Sequence, residues 1–169
     1  MTGGVEKGDR APDFSLPSQQ GRLVSLRDFV GKKRVVLYFY PKDFTVGCTA
    51  EAKTFSENYD EIKSLDAEVL GISSDSIESH GEFAEDCKVE FPLLSDSEGG
   101  VRRQYGIRRS FGLVPGRVTF VIDRRGIVVK SFNSQVDPRR HVREAIEALR
   151  DSEVEEEARS RQLKSGPST

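Results

Sequence analysis

Cys48 is the residue of this sequence best placed to do chemistry, and Thr45, Gly47 and Glu51 stand close enough to shape it. It falls where a loop turns into a helix, just past the end of an apolar strand. Unpaired backbone N–H groups and the helix dipole favour negative charge at such a place, so a first-turn thiol is suited to act as a thiolate nucleophile. Thr45, three residues earlier, has the spacing by which an N-cap side chain reaches the N3 backbone N–H, which would set its hydroxyl beside the sulfur. Gly47 allows close approach where a side chain would block access. Glu51, one turn on, is suited to orient a cation, although its own charge opposes a thiolate. The cation must come from elsewhere in the chain.

The elements that position these residues are read from hydrophobic periodicity. Residues 34–40 form a buried strand rich in β-branched and aromatic side chains. Pro41 ends it, because it has no N–H to donate. Ala52, Phe55, Tyr59 and Ile62, three and four apart, mark the inner face of one helix reaching residue 65. Residues 67–73 are a second buried strand. Ser74 and Asp75 are caps for a helix over 76–88, with Phe83, Ala84 and Cys87 on its apolar face. A short apolar piece at 92–96, a brief helix at 98–105, a loop at 112–116, a strand at 117–123, its antiparallel return at 127–132 and an amphipathic helix at 138–150 follow. Upstream, runs at 14–16 and 22–25 flank turn residues and predict a hairpin.

Two strands joined by a helical crossover pair in parallel, and the later hairpin adds antiparallel strands. The expected fold class is α/β: a mixed central β-sheet with helices on both faces and an N-terminal β-hairpin. One domain covers residues 1–150. The charged stretch 151–169, poor in apolar anchors, is expected as frayed helix followed by disorder.

Composition narrows the function classes. A chain of 169 residues suits one domain with a substantial core. A net charge of −2 gives no bulk attraction to nucleic acid or an acidic membrane surface, and neither partner is expected. No apolar run approaches the roughly 18 residues of a membrane span, and the opening MTGGVEKGDRAPDF lacks the apolar core of a secretory signal. A cytoplasmic location is expected. Cys48 and Cys87 are the only cysteines, too few for a cysteine-rich zinc site, and His80 and His141 add no ligand spacing. No metal is expected. Both histidines read as surface or helix residues, and the arginine pairs 102–103, 108–109, 124–125 and 139–140 read as solvated faces.

Pro41-Lys42-Asp43-Phe44-Thr45-Val46-Gly47-Cys48 resembles the active-site pattern of peroxiredoxins: proline, three residues, threonine, two residues, cysteine. The surrounding VVLYFYPKDFTVGCTAEAKTF is most similar to the bacterioferritin-comigratory or Q-type subgroup. GDRAPDFSL, FPLLSD and RVTFVID extend the likeness over about residues 5 to 150. The resemblance implies a thioredoxin-like fold and a thiol-dependent peroxidase acting on hydrogen peroxide or organic hydroperoxides, with no cofactor. Cys48 would be the peroxidatic cysteine, becoming a sulfenic acid. Pro41 would shield it, Thr45 would position the peroxide, Arg117 would supply the missing cation and Glu51 would hold that arginine. A thioredoxin or glutaredoxin-like protein would be the reductant, and a monomer is favoured over a dimer.

Two departures stand out. Val46 replaces the proline usual before Gly47, and Lys53 occupies the position where many Q-type members carry a resolving cysteine. Some members place that cysteine on the following helix, the segment carrying Cys87. Whether Cys87 resolves or is a small buried hydrophobe stays open, because a disulfide needs the Cα atoms within about 7 Å. The alternatives are a one-cysteine peroxidase reduced directly by an external thiol, and a redox-sensing binding or holdase module. Disulfide reductase activity is disfavoured: the helix start lacks a second cysteine, and Val118 rather than proline precedes Thr119.

Overall fold

The computed structural model of the protein describes residues 4–107, 109–110, 114–133 and 137–165. Its elements in chain order are β1 (Ser15–Pro17), β2 (Leu23–Ser25), a 3-10 turn (Leu26–Asp28), β3 (Arg34–Phe39), α1 (Val46–Glu57), α2 (Tyr59–Ser64), β4 (Ala67–Ser73), α3 (Ile77–Cys87), β5 (Leu93–Ser95), α4 (Gly100–Gln104), β6 (Arg109–Ser110), β7 (Val114–Pro115), β8 (Val118–Ile122), β9 (Val128–Asn133) and α5 (Pro138–Lys164). The central sheet has the order β5-β4-β3-β8-β9. β3, β4 and β5 run parallel, and β8 and β9 are antiparallel additions. The chain thus forms the expected mixed sheet with an N-terminal antiparallel hairpin, β1–β2.

β3 shows why the sheet has two cores. Val36, Tyr38 and Tyr40 point to one face, while Val35, Leu37 and Phe39 point to the other. That is the two-residue period of a strand buried on both sides. The first face is covered by α1, α2, α3 and α5 through Phe55, Ile62, Phe83, Ile146 and Leu149. The second is covered by the N-terminal segment and α4 through Phe14, Leu26, Val101 and Tyr105. Among the described residues the long helices therefore share one face, and the other holds the 3-10 turn and the short α4. Gly71 in β4 makes room for this arrangement, since a Cβ there would lie 2.8 Å from the Tyr38 ring.

Three local expectations are corrected. The single helix after Cys48 breaks at Asn58 (φ −105°, ψ 7°) into α1 and α2. Thr54 and Ser56 hydroxyls donate to carbonyls four residues back, and the Asn58 amide donates to the Thr54 carbonyl, so side chains compete with the helical ladder there. The loop expected at 112–116 includes β7, which pairs antiparallel with β6; residues 111–113 lie outside the described residues. The last helix does not end near residue 150 but continues to Lys164. Its extension is fastened by Ser152, buried against Arg34 Nε at 3.3 Å, and by Glu156, which accepts from Arg34 Nη2 at 2.5 Å. Polar anchors hold it, which an apolar count does not register. Residues 166–169 lie outside the described residues.

Candidate active site

β3 ends at Phe39; the next residue, Tyr40, still donates its N–H to the Ile72 carbonyl, and Pro41 then turns the chain away from the sheet. Residues 41–45 form a loop with Phe44 in the left-handed region (φ 66°), a costly conformation for a bulky side chain. Its ring is half-exposed and rests edge-on against Phe83 at 5.2 Å. Thr45 is the N-cap of α1 and Cys48 is its third residue. Cys48 is buried, at 1% exposure, and is a free thiol.

The cap bond expected of Thr45 is not made. Its hydroxyl donates back to the Lys42 carbonyl at 3.0 Å, closing the loop on itself. Thr45 remains exposed at the mouth of the site. Val46, next to it, is 90% exposed, so the side chain that replaces proline adds nothing to the core.

The cation comes from the neighbouring strand. Arg117 immediately precedes β8, which pairs with β3, and is only 4% exposed. Its Nη2 donates to Cys48 Sγ at 3.2 Å and its Nη1 donates to Glu51 Oε1 at 2.5 Å. Cys48 and Glu51, three residues apart on α1, thus hold two arms of one guanidinium. Burial pulls the Arg117 ionisation down, but Glu51 and Cys48 more than offset it, so the guanidinium is held firmly charged. Burial pushes Glu51 up to about 8, against the pull of Arg117. The reason is visible in Oε2, which makes no hydrogen bond and faces His141 Nδ1 only at 3.8 Å. Gly47 borders this cluster. A Cβ there would lie 3.0 Å from Arg117 Nη2, the nitrogen that reaches the sulfur.

Three buried side chains that sequence patterns did not single out support the site. Arg102, read as part of a solvated face, is 8% exposed; it donates to the carbonyls of Tyr40 and Gly116, both at 3.0 Å. It thereby ties the end of β3 to the residue before Arg117. His80 and His141, read as surface or helix residues, are both fully buried. His141 Nδ1 lies 2.8 Å from Thr119 Oγ1, behind Glu51. His80 bonds Asp43 of the loop. A ring nitrogen's partner leaves no mark on hydrophobic periodicity; only the inward helix positions of these histidines could have hinted at it. Arg124 and Arg125 also pair, with Asp66, Glu156 and Asp123. Arg108 and the side chain of Arg109 lie outside the described residues.

Cys87 closes α3. It is free and 3% exposed, at the edge of a cavity of about 440 Å³ lined also by Lys53, Ser56, Glu57, Asp86 and Lys88. Burial and Asp86 push its thiol up, and Lys53 pulls the other way. For a metal, the described residues offer one group, Asp43, Asp75 and His80, with one ligand atom from each within 4.8 Å of the others. Hydroxyl, amide and ring partners already engage these side chains, which makes the group a hydrogen-bonded cluster. No described helix is long and apolar enough to cross a membrane.

This geometry has parallels among known proteins. The family model described as AhpC/TSA family matches residues 7–131. Peroxiredoxin Q, chloroplastic, of Sedum lineare is 47% identical over 146 residues, covering 86% of this chain and 78% of that protein. Its Arabidopsis thaliana namesake is 45% identical over 147 residues, covering 86% and 68%. Among solved structures, peroxidoxin BcpB from Mycobacterium tuberculosis superposes with a TM-score of 0.81 at 36% identity, covering 87% of this chain and 97% of that one. Xanthomonas campestris bacterioferritin comigratory protein, described for its alkyl peroxide reduction activity, gives 0.78 at 30% identity, covering 88% and 98%.

Proposed function

The chain belongs to the AhpC/TSA family and is a thiol peroxidase of the peroxiredoxin Q type with a thioredoxin-like fold, and we propose that Cys48 is its peroxidatic cysteine. The observation that carries this reading is the Arg117 guanidinium shared between Cys48 Sγ and Glu51 Oε1. A fixed cation on the sulfur favours the thiolate and stabilises charge developing on the departing oxygen.

The thiolate attacks one peroxide oxygen, the O–O bond breaks, and the departing hydroxide or alkoxide takes a proton. Cys48 is left as a sulfenic acid. Thr45 positions the peroxide: its own hydrogen is engaged by Lys42, so its oxygen has lone pairs free to accept the peroxide O–H. Pro41 shields the sulfur from the strand side, and Glu51 holds Arg117. No cofactor takes part in this cycle.

Peroxiredoxins take electrons from thioredoxin-type reductants, and a thioredoxin or glutaredoxin-like protein completes the cycle here. Cys87 is the resolving cysteine in this reading, forming a disulfide with Cys48. Its burial at a helix end favours a second reading, a one-cysteine cycle in which external thiol reduces Cys48 directly. A monomeric unit and a cytoplasmic setting belong to this reading, the first from the likeness to the Q-type subgroup.

Non-reducing mass spectrometry after one equivalent of peroxide tests the reading. A Cys48–Cys87 disulfide, absent from Cys87→Ser, is the expected result. Persistent sulfenic acid in the native chain would establish the one-cysteine cycle. Peroxide consumption by Cys48→Ser at the native rate would remove Cys48 from the chemistry altogether.

A further inference from the structure

Asp43 lies midway between Pro41 and Thr45, yet it is as buried as the core, at 3% exposure. Three side chains converge on its carboxylate. Tyr40 OH donates to Oδ1 at 2.6 Å, Ser79 Oγ donates to Oδ2 at 2.8 Å, and His80 Nδ1 lies 2.7 Å from Oδ2. The Asp43 N–H donates to Asp75 Oδ2 at 2.9 Å, and Ser73 Oγ donates to that same oxygen at 2.6 Å. His80 Nε2 faces the Leu94 carbonyl at 3.0 Å; a carbonyl only accepts, so that nitrogen carries hydrogen. Asp43 accepts from Tyr40 and Ser79 and shares a third bond with His80 Nδ1. The pair thus joins the loop before Cys48 to the first turn of α3 and, through Leu94, to β5. Phe44, in its left-handed conformation, adds a ring contact to Phe83 on the same helix.

Cys87 ends that helix, two turns beyond His80. Cys48 Sγ is held by Arg117, while Cys87 borders a cavity that Cys48 does not line, so a bond between them calls on the loop and first turn of α1, or α3, to move. Either movement pulls on Asp43 or on His80.

We propose that Asp43 and His80 are positioning residues that clasp the peroxidatic loop to α3, and that opening this clasp sets how fast the Cys48 sulfenic acid meets Cys87. The proposal rests on Cys87 resolving. In that step the Cys87 sulfur attacks the Cys48 sulfur, the S–S bond forms as the S–O bond breaks, and the thiol proton leaves with the hydroxide as water. Cys87 is oxidised and the sulfenic sulfur is reduced. While the clasp is shut, a second peroxide competes for the sulfenic acid and carries it to sulfinic acid.

The test follows two rates in the full-length chain by rapid quench and mass spectrometry: loss of the Cys48 thiol, and appearance of the disulfide. In Asp43→Asn the ratio of disulfide formation to thiol oxidation rises about tenfold, the size expected for losing a charge-assisted hydrogen bond. The sulfinic fraction at fixed excess peroxide falls with it. Ser79→Ala removes one neutral hydroxyl and keeps the Asp43–His80 bond, so it raises the ratio about threefold. It decides the matter where Asp43→Asn does not fold. A ratio unchanged or lowered in folded Ser79→Ala overturns the clasp while leaving Cys87 as the resolving residue. No disulfide in the native chain is a separate result: it removes the resolving role, and the clasp proposal falls with it.

Discussion

Cys48 and Cys87 are the same residue type, equally buried and packed in the same hydrophobic cluster, yet their surroundings differ in every electrostatic respect. Cys48 stands at the start of α1 and receives a hydrogen bond from Arg117. Cys87 stands at the end of α3, where backbone carbonyls face outward, with Asp86 adjacent and Lys53 countering it. Burial alone therefore does not set the electrostatic surroundings of a thiol. The end of the helix it sits on and the cation aimed at it do.

The comparison breaks most decisively at Arg117. Arg117→Met leaves Cys48 at a helix start without its cation, and the peroxide rate constant should fall by about 10²–10³-fold. Stopped-flow kinetics under single turnover read this directly. A loss under about threefold would show that the helix start alone activates the sulfur.

Glu51 sharpens the comparison through pH. With Glu51 neutral, the charge of Arg117 serves Cys48 alone; with Glu51 ionised, the guanidinium is shared. The rate constant per thiolate should therefore decline as pH rises through about 8, and Glu51→Gln should lack that decline. Stability gives the matching sign. The unfolded glutamate releases its proton near 4.5 and the folded one near 8, so the contribution of Glu51 is complete below 4.5 and is lost as pH rises toward 8. Denaturant titrations should show the native chain losing stability relative to Glu51→Gln across that interval.

A smaller effect is expected at Gly47. Gly47→Ala places a methyl 3.0 Å from Arg117 Nη2, and the pairing with Glu51 leaves the guanidinium little room to yield. The rate constant should fall about tenfold with little change in melting temperature. Smallest is Lys53→Met. Lys53 is exposed and its field is screened, so alkylation of Cys87 by iodoacetamide should slow by about twofold at low salt and less at high salt.

The sequence carried the site unevenly. Cys48, Gly47 and Glu51 lie within four residues, and their relation follows from helix geometry. Arg117 is 69 residues away from Cys48, and no local pattern links them; only the resemblance placed it at the sulfur. Arg102 stands beside Arg103 in a charged stretch, and charge alone reads as solvation. Its burial follows from two backbone carbonyls that a sequence does not display. His80 and His141 were missed for the same reason. The strands were legible because β3 and β4 are mostly apolar, with the runs 35–39 and 69–72 unbroken by charge. The end of α5 was not, because its anchors are Arg34 and Glu156, residues of a kind that more often face water.

That last helix and Arg102 together give β3 an unusual mechanical position. At its base, buried Arg34 bonds the Leu65 carbonyl, Ser152 and Glu156. At its top, buried Arg102 grips the Tyr40 carbonyl. The central strand is a beam pinned at both supports. Flexing during turnover is then confined to what is mounted on the beam, the loop and the helices. In hydrogen exchange, the amides of β3 should be among the last to trade their protons, whether Cys48 is reduced or oxidised.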